Sequence, residues 1–174
     1  PHCGAFINRS PFVLMASFDA DGRVDVSPKG DPAGFVKILD DKTLAIPDRP
    51  GNRLADTLEN LLQRPRIGLI FLMPGKAETL RVNGSAKIVA DPALLESMAV
   101  KGKPAQLATV VSVEEAYFHC SKCMIRSGLW EPERWPSLDG APSMAEALIA
   151  AMGLPLTSDQ MHELLEKDAV ERLF

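Results

Sequence analysis

The sequence predicts a mainly β (α+β) protein whose many short strands close into a barrel or pack as a sandwich. Apolar or alternating runs follow one another from residue 11 to residue 120, with few helical segments between them. Closure is favoured because a strand as apolar as residues 67–72 would otherwise leave an aggregation-prone edge. Of the 174 residues, 46% are hydrophobic and 24% are charged, which fits one domain with a short appendage.

The first two predicted strands form a hairpin. Residues 12–18 are mostly apolar, and residues 23–27 alternate, with Val24 and Val26 on one face and polar side chains on the other. The tetrad DADG at positions 19–22 lies between them and has turn chemistry. Its glycine can take a positive φ without steric cost, so the two runs are expected to pair across this turn.

The remaining strands are predicted from similar runs bounded by turn residues. Gly84, inside the run at residues 79–90, is expected to mark a bulge or bend. The last run is expected to split near Glu114, where a solvated turn would separate two strands. The predicted ranges are residues 35–39, 43–46, 66–72, 79–90 and 107–120.

Helices are predicted from apolar spacing and from capping patterns. Residues 53–64 are amphipathic, and Asp91 before Pro92 supplies an N-cap with proline at the first helical position. The leucines expected on the apolar face of the first helix are Leu54, Leu58, Leu61 and Leu62. Near the C-terminus, two capping boxes and a glycine stop predict a helical pair: Ser143 with Glu146, Thr157 with Gln160, and Gly153.

These elements predict a barrel domain at residues 1–130 and a linker with a two-helix appendage at residues 131–174, packed on the barrel or on a partner subunit. The net charge of −4 gives no drive toward nucleic acid or an anionic membrane. No run approaches the roughly 20 apolar residues of a membrane helix. Three cysteines, an odd number, do not suggest a disulfide framework, so a cytoplasmic setting is the default expectation.

The most informative stretch for chemistry combines a strand end at residues 27–32 with a strand-to-helix passage at residues 46–53. A helix N-terminus offers free N–H donors, and nearby cations would make a cradle for a phosphate dianion. Lys29 can reach the same ligand, and the cradle side chains are Arg49, Asn52 and Arg53. An alternative stays open, in which the arginines are solvated surface charges and Pro28 and Pro47 merely end strands.

Five stretches in this order resemble the pyridoxamine 5′-phosphate oxidase-like superfamily: PFVLMASFDADGRVDVSPKGDPAGFV, LAIPDRPGN, NLLQRPRIGLIFL, ETLRVNGSAKI and FHCSKCMIRSGLWEP. The branch of FMN-dependent, pyridoxamine phosphate oxidase-related proteins is the most similar. The resemblance covers residues 1–132. It implies a six-stranded antiparallel split β-barrel with short helices, assembled as a homodimer with two FMN sites at the subunit interface.

The resemblance also implies roles for single residues. Lys29, preceded by Ser27 and Pro28, matches a basic flavin contact, and Ile46 with Pro47 matches the pair that lines the flavin. The phosphate-holding pair is Asn52 and Arg53, the polar contact to the isoalloxazine ring is Thr79, and the contacts from the second subunit are Trp130 and Arg126. Asp48 and Arg49, between the strand and the phosphate pair, complete the expected FMN-binding set.

The expected function is that of an FMN-dependent oxidoreductase with a small-molecule electron donor or acceptor, such as a reduced nicotinamide. The flavin would carry the redox chemistry, and no catalytic side chain is identified. Asn52 and Val24 stand where the family's enzyme has basic residues, and its Arg-His-Arg-like C-terminal signature is missing. Oxidation of pyridoxamine phosphate is therefore not expected. The alternative is a non-catalytic module that stores flavin or senses redox state.

Two further features leave alternatives open. The segment His119-Cys120-Ser121-Lys122-Cys123 has CxxC spacing, but a structural zinc site needs four ligands, and a thioredoxin-like βαβ setting is missing. Cysteines that pack near the end of the last strand are the favoured interpretation, and a thiol redox protein is the weaker one. Arg81 is expected to form an ion pair, although it could face the flavin cavity.

Overall fold

The computed structural model describes residues 1–51, 55–171 and 173. Within this part of the chain, seven strands form one antiparallel sheet in the order β2-β1-β5-β6-β7-β4-β3. The strands are β1 (Phe12–Phe18), β2 (Val24–Gly30), β3 (Lys37–Asp40), β4 (Thr43–Asp48), β5 (Arg66–Leu72), β6 (Thr79–Val89) and β7 (Leu107–His119). The mainly β split-barrel fold is confirmed, with seven strands instead of the six that the resemblance implied.

The barrel core is built by alternate residues of neighbouring strands. In β1, Val13 and Met15 are buried, and in β5 Leu69 and Phe71 face them from the same side of the sheet. Leu80 and Val82 of β6, together with Ile46 of β4 and Val111 of β7, extend the same cluster. Full burial of each such side chain contributes on the order of 1.5–3 kcal/mol, so this cluster holds the strands in register.

The predicted hairpin is confirmed, and it closes through the carboxylate of Asp19. That carboxylate accepts backbone N–H bonds from Asp21 at 2.9 Å and from Arg23 at 2.8 Å. Gly22 has a φ of +83°, the conformation that the turn requires. Phe18 then pairs with Val24 at the start of β2.

The faces of β2 are the reverse of what hydrophobic patterning suggests. Val24 is 72% exposed and Val26 is 55% exposed, whereas the polar side chains that alternate with them are half-buried. The polar face turns toward the helix after β4, and Asp25 accepts a hydrogen bond from the hydroxyl of Thr57 at 3.0 Å. The strand also continues through Pro28, which an edge strand tolerates because one side of its backbone has no ladder partner.

The last strand is continuous, so the expected split near Glu114 is wrong. The register between β6 and β7 shifts instead, because Asn83 pairs with Glu115 while Gly84 pairs with Val113. Glu114 is the extra residue of this bulge. A Cβ added to Gly84 would lie 2.1 Å from the carbonyl oxygen of Ser112. The predicted bulge at Gly84 is therefore confirmed, and its cause is the close approach of the β7 backbone.

A short helix at the N-terminus, α1 (His2–Ile7), was not predicted. It buries Phe6 and Ile7, and the ring of Phe6 meets the ring of Phe118 edge-on with centroids 5.5 Å apart. The helix packs against the barrel core, because both buried side chains belong to the same cluster as those of β1 and β5.

The helix after β4, α2 (Asp56–Gln63), begins later than predicted, and Arg53 and Leu54 lie outside the described residues. Its buried face is more polar than the leucine pattern indicated. Leu61 is buried, but Leu62 is 77% exposed. Asn60 is buried instead and donates a hydrogen bond from its amide to the hydroxyl of Ser17 at 3.0 Å.

The other helices are α3 (Pro92–Ser97), α4 (Lys122–Ser127), α5 (Met144–Met152) and α6 (Ser158–Glu171), with a 3-10 turn at Pro132–Arg134. The predicted caps of α3, α5 and α6 and the glycine stop at Gly153 are all confirmed. Accepting the backbone N–H of Ser143 lowers the pKa of Glu146. The helices α5 and α6 pack on each other and bury Ala145 and Met161. The predicted domain boundary at residue 130 stays a prediction.

Candidate functional site

A cavity of about 300 Å³ lies where the end of β2 meets the end of β4. It joins the two segments that the sequence singled out, residues 27–32 and 46–53, although residues 33–45 separate them along the chain. This size is at the lower end of the range for small-molecule and cofactor sites. The lining residues are Ser27, Pro28, Lys29, Gly30, Asp31, Phe35, Pro47, Arg49, Pro50 and Gly51.

Lys29 brings a cation to this cavity from the edge strand β2. Its ammonium Nζ donates to Oδ1 of Asp48, at the end of β4, over 3.3 Å. The side chains are 25% and 21% exposed, so the pair is partly screened by water. This contact links the end of β2 to the end of β4 and holds the lysine head between them.

Arg49 is more deeply fixed than Lys29. Its Nε donates to Oδ2 of Asp31 at 2.7 Å, and its Nη2 donates to the carbonyl oxygen of Met98 at 2.5 Å. The side chains of Arg49 and Asp31 are 13% and 3% exposed. Arg49 is therefore a buried, paired cation, and the alternative that treated it as a solvated surface charge is wrong. These two bonds use two of the five N–H donors of a guanidinium.

The other predicted residues of the β4 segment divide between the core and the cavity wall. The side chain of Ile46 is 1% exposed and belongs to the barrel core, so only its backbone is free to face a ligand. Pro47 is buried and lines the cavity. The wall continues to Gly51, and the next two residues of the predicted phosphate pair, Asn52 and Arg53, lie outside the described residues.

A second cavity of about 270 Å³ adjoins the first one through Ser27, Pro28 and Lys29. It reaches the start of α2, which the sequence predicted as an anion site. The N-cap of this helix is Ala55, whose methyl group cannot accept the first N–H bonds of the helix. The carboxylates of Asp25 and Asp56 also line this cavity, so the positive end of the helix faces acidic as well as basic neighbours.

Three predicted contacts lie away from the first cavity. Thr79 is buried at the start of β6, where it pairs with His119. Trp130 donates from its indole nitrogen to the carbonyl oxygen of Lys76 at 2.7 Å, and Arg126 is exposed on α4. Within one chain, the described residues of β2 and β4 form the cavity, whereas these three side chains are placed elsewhere on the barrel.

The outer face of the sheet carries an apolar surface that the sequence did not identify. Its exposed side chains include Phe12, Phe18, Val24, Val26 and Tyr117. A cavity of about 300 Å³ on this face is lined by Leu14, Ala16, Val26, Gly68, Leu69, Ile70, Arg81, Asn83 and Tyr117. The signal was available in β1, where Leu14 and Ala16 make the outward positions apolar as well as the inward ones.

Arg81 lies on this outer face between Ile70 and Tyr117, its partners in the neighbouring strands. Its Nε is buried and has no hydrogen-bond partner among the described residues. The expected ion pair of Arg81 is not found in this part of the chain.

Arg66 and Glu114 form a separate ion pair. The hydrogen bonds that Arg66 donates hold the pKa of the Glu114 carboxyl below its ordinary value.

No helix in the described ranges is long and apolar enough to span a membrane.

Comparison with solved structures shows the same fold at low identity. HupZ of Group A Streptococcus is 20% identical with a TM-score of 0.53, covering 67% of this chain and 90% of that chain. An F420 reductase is 17% identical with a TM-score of 0.51, covering 65% and 94%. General Stress Protein 26 of Bacillus anthracis is 11% identical with a TM-score of 0.51, covering 67% and 89%. Identities this low indicate shared architecture only.

The family profile described as "Pyridoxamine 5'-phosphate oxidase" matches residues 1–120. Among curated proteins, none matches this chain. The profile match includes every strand of the sheet and both segments that form the cavity. Because it spans well over half of the 174 residues, this chain belongs to the pyridoxamine 5′-phosphate oxidase family.

Proposed function

We propose that this protein binds FMN in the cavity between the ends of β2 and β4 and works as an FMN-dependent oxidoreductase. The observation that carries the proposal is the convergence of Lys29 and Arg49 on one cavity with apolar walls. Phe35, Pro28 and Pro47 suit the faces of an aromatic ring system, and the cations suit anionic groups. Bound FMN would supply the redox chemistry, while the protein binds and orients it.

The phosphate end of the ligand is assigned to the start of α2. Ala55 leaves the first N–H groups of this helix without a side-chain cap, and such groups favour an anion. Asn52 and Arg53 precede this helix in sequence and complete the cradle in our proposal. One terminal phosphate fits this arrangement, so FMN is favoured over FAD.

We assign the remaining flavin contacts to a second copy of the chain. Thr79, Arg126 and Trp130 lie outside the cavity that Lys29 helps to form. The outer face of the sheet is apolar, and the Nε of Arg81 on it has no hydrogen-bond partner in the described part of the chain. A partner subunit typically covers a surface of this kind. A two-fold homodimer would bury both outer faces and place residues of each chain near the other chain's cavity.

A non-catalytic flavin-binding module is the second candidate. The observation in its favour is that the titratable groups lining the cavity are Lys29, Asp31 and Arg49, and the last two are bound to each other. Flavin redox chemistry needs no protein acid or base, so this lining is sufficient for binding and is equally compatible with an oxidoreductase. Turnover of NADH or NADPH by flavin-loaded protein under air distinguishes the two candidates, because a storage module would leave both nicotinamides unoxidised.

Replacing Lys29 with glutamine is expected to weaken FMN binding by one to two decades. The change removes one charge-assisted hydrogen bond, a loss of about 1.5–3 kcal/mol. Titration of flavin-free protein, followed by quenching of flavin fluorescence, measures the dissociation constant. The matched control is Lys42→Gln, the same change at an exposed turn between β3 and β4. Equal FMN affinity of both variants would contradict the assignment of Lys29, and FAD and F420 serve as comparison ligands.

The protein is not expected to oxidise pyridoxamine phosphate at a useful rate. That substrate carries its own phosphate and needs a second basic cluster beside the flavin. Arg134, the nearest cation after Trp130, already donates to Glu131 at 3.1 Å and to the carbonyl oxygen of Ile125 at 3.2 Å. A steady-state assay of flavin-loaded protein follows pyridoxal phosphate. Turnover of about 1 per second, an ordinary enzymatic rate, would restore vitamin B6 oxidation as the function.

A further inference from the structure

The turn that joins β7 to α4 carries two cysteines in CxxC spacing. β7 ends at His119 and α4 begins at Lys122, so Cys120 and Cys123 flank the start of the helix. Both thiols are free, and both residues are exposed. The frequent burial of cysteine led to the expectation that this pair packs near the strand end, and the exposure of both residues shows that this expectation is wrong.

The backbone of this turn brings the two cysteines within disulfide range. The separation of Cα atoms three residues apart is set mainly by the two residues between them. Ser121 is right-handed helical, with φ −76° and ψ −8°, and Lys122 is the first residue of α4. Helical residues rise only about 1.5 Å each along the axis, so the Cα atoms of Cys120 and Cys123 are less than about 7 Å apart. Disulfides join Cα atoms about 4.4–6.8 Å apart.

The fold anchors both sides of this turn. His119 is paired with Thr79 in the sheet, and the α4 side chain next to Cys123, that of Met124, is buried. Among the described residues, no group of three or more side chains could hold a metal ion. The third cysteine, Cys3, is half-buried against the barrel core and provides an internal comparison.

We propose that Cys120 and Cys123 form a redox-active dithiol that exchanges with small-molecule disulfides. The thiolate of one cysteine attacks the external disulfide, forming a mixed disulfide and releasing one thiol. The second cysteine then attacks the protein sulfur of that mixed disulfide and releases the second thiol. Two electrons pass to the external disulfide, the two thiol protons end on the released thiols, and an intramolecular disulfide remains. Bound flavin takes no part in this exchange.

The protein is incubated with and without FMN in buffers of reduced and oxidised glutathione, and its free thiols are then trapped with an alkylating reagent. Mass spectrometry counts the trapped thiols, and peptide mapping locates any bond. We expect wild-type protein to lose two hydrogen atoms and to show a bond between Cys120 and Cys123, reversed by reduced glutathione. Cys3→Ser is expected to behave like the wild type. The outcome is expected to be the same without FMN, so it is independent of the proposed flavin function.

Single variants test the exchange mechanism. In Cys123→Ser, the thiol of Cys120 has no resolving partner, so a stable glutathione adduct is expected in place of the internal bond. Cys120→Ser gives the corresponding test for Cys123. Wild-type protein that accumulates glutathione adducts like these variants, or that stays fully reduced in oxidised glutathione alone, would overturn the proposal. Both cysteines are exposed, so the serine variants are expected to fold.

Discussion

Replacing Asp31 with alanine is expected to lower the free energy of unfolding by about 3–5 kcal/mol, because it leaves a buried guanidinium without its counter-ion. The side chain of Asp31 is 3% exposed and that of Arg49 is 13% exposed, so water cannot easily replace the lost carboxylate. Arg49 would keep its bond to the carbonyl of Met98 but lose the 2.7 Å ion pair. Urea unfolding measures the change.

The control for this prediction is an exposed ion pair in the same protein. Asp21 lies 3.7 Å from Arg23, and their side chains are 73% and 81% exposed. Asp21→Ala is expected to change stability by less than about 1 kcal/mol. If Asp31→Ala were as mild as this control, the buried pair would not hold the cavity wall together. The double variant Asp31→Leu with Arg49→Met is expected to recover stability, since apolar replacement of both partners removes the unpaired charge.

Replacing Gly84 with alanine is expected to destabilise the barrel by more than about 3 kcal/mol, above the usual 1–3 kcal/mol of overpacking. The new Cβ would lie 2.1 Å from the carbonyl oxygen of Ser112, and this oxygen belongs to a strand backbone that cannot rotate aside. Relief requires β6 and β7 to separate at the bulge that Glu114 creates. Thermal and urea unfolding both report the loss.

Gly68→Ala is the matched control, because Gly68 lies in the neighbouring strand β5 of the same sheet. A Cβ there would meet the side-chain oxygen of Asn83 at 3.4 Å and the Cβ of Ala16 at 3.9 Å, which are ordinary contacts. We expect Gly68→Ala to be near neutral, within about 1 kcal/mol. Similar stabilities of the two alanine variants would mean that the bulge relaxes freely, contrary to our account.

Local chemistry made several elements predictable from sequence. β5 matches its predicted range because an apolar run lies between Pro65 and the pair Pro74-Gly75. The hairpin turn at Gly22 and the caps of α3 and α5 depend on neighbouring residues only, so the sequence contains what is needed to predict them. Gly84 was recognised for a related reason, since a glycine inside a strand points to a close backbone approach.

Features that depend on distant parts of the chain were not predictable in this way. Val24 and Val26 resemble core positions, but β2 is an edge strand and turns its polar face toward α2. The helix α1 was missed because Phe6 and Ile7 are two apolar residues in a short polar segment, and only the barrel core explains their burial.

The candidate site was predictable in its location and less so in its contacts. The segments around Lys29 and Pro47 meet at one cavity, as their strand-end positions suggested. The partner of Arg49 is Asp31, and no local pattern distinguishes Asp31 as a partner among the 23 acidic residues. The apolar outer face was not predicted, because Leu14 has the character of a core residue. Alternation along a strand shows which residues share a face, but it does not show what covers that face.

The most direct test of the central proposal is light scattering combined with flavin absorbance on protein reconstituted with FMN. We expect a single dimeric species with one FMN per chain, because the proposed site uses Lys29 of one chain and Trp130 of the other. Arg81→Glu, which places an unpaired carboxylate on the apolar outer face, is expected to lower both the dimer fraction and the bound flavin. A monomer that retains stoichiometric FMN, or a dimer that binds none, would contradict a flavin site shared between subunits.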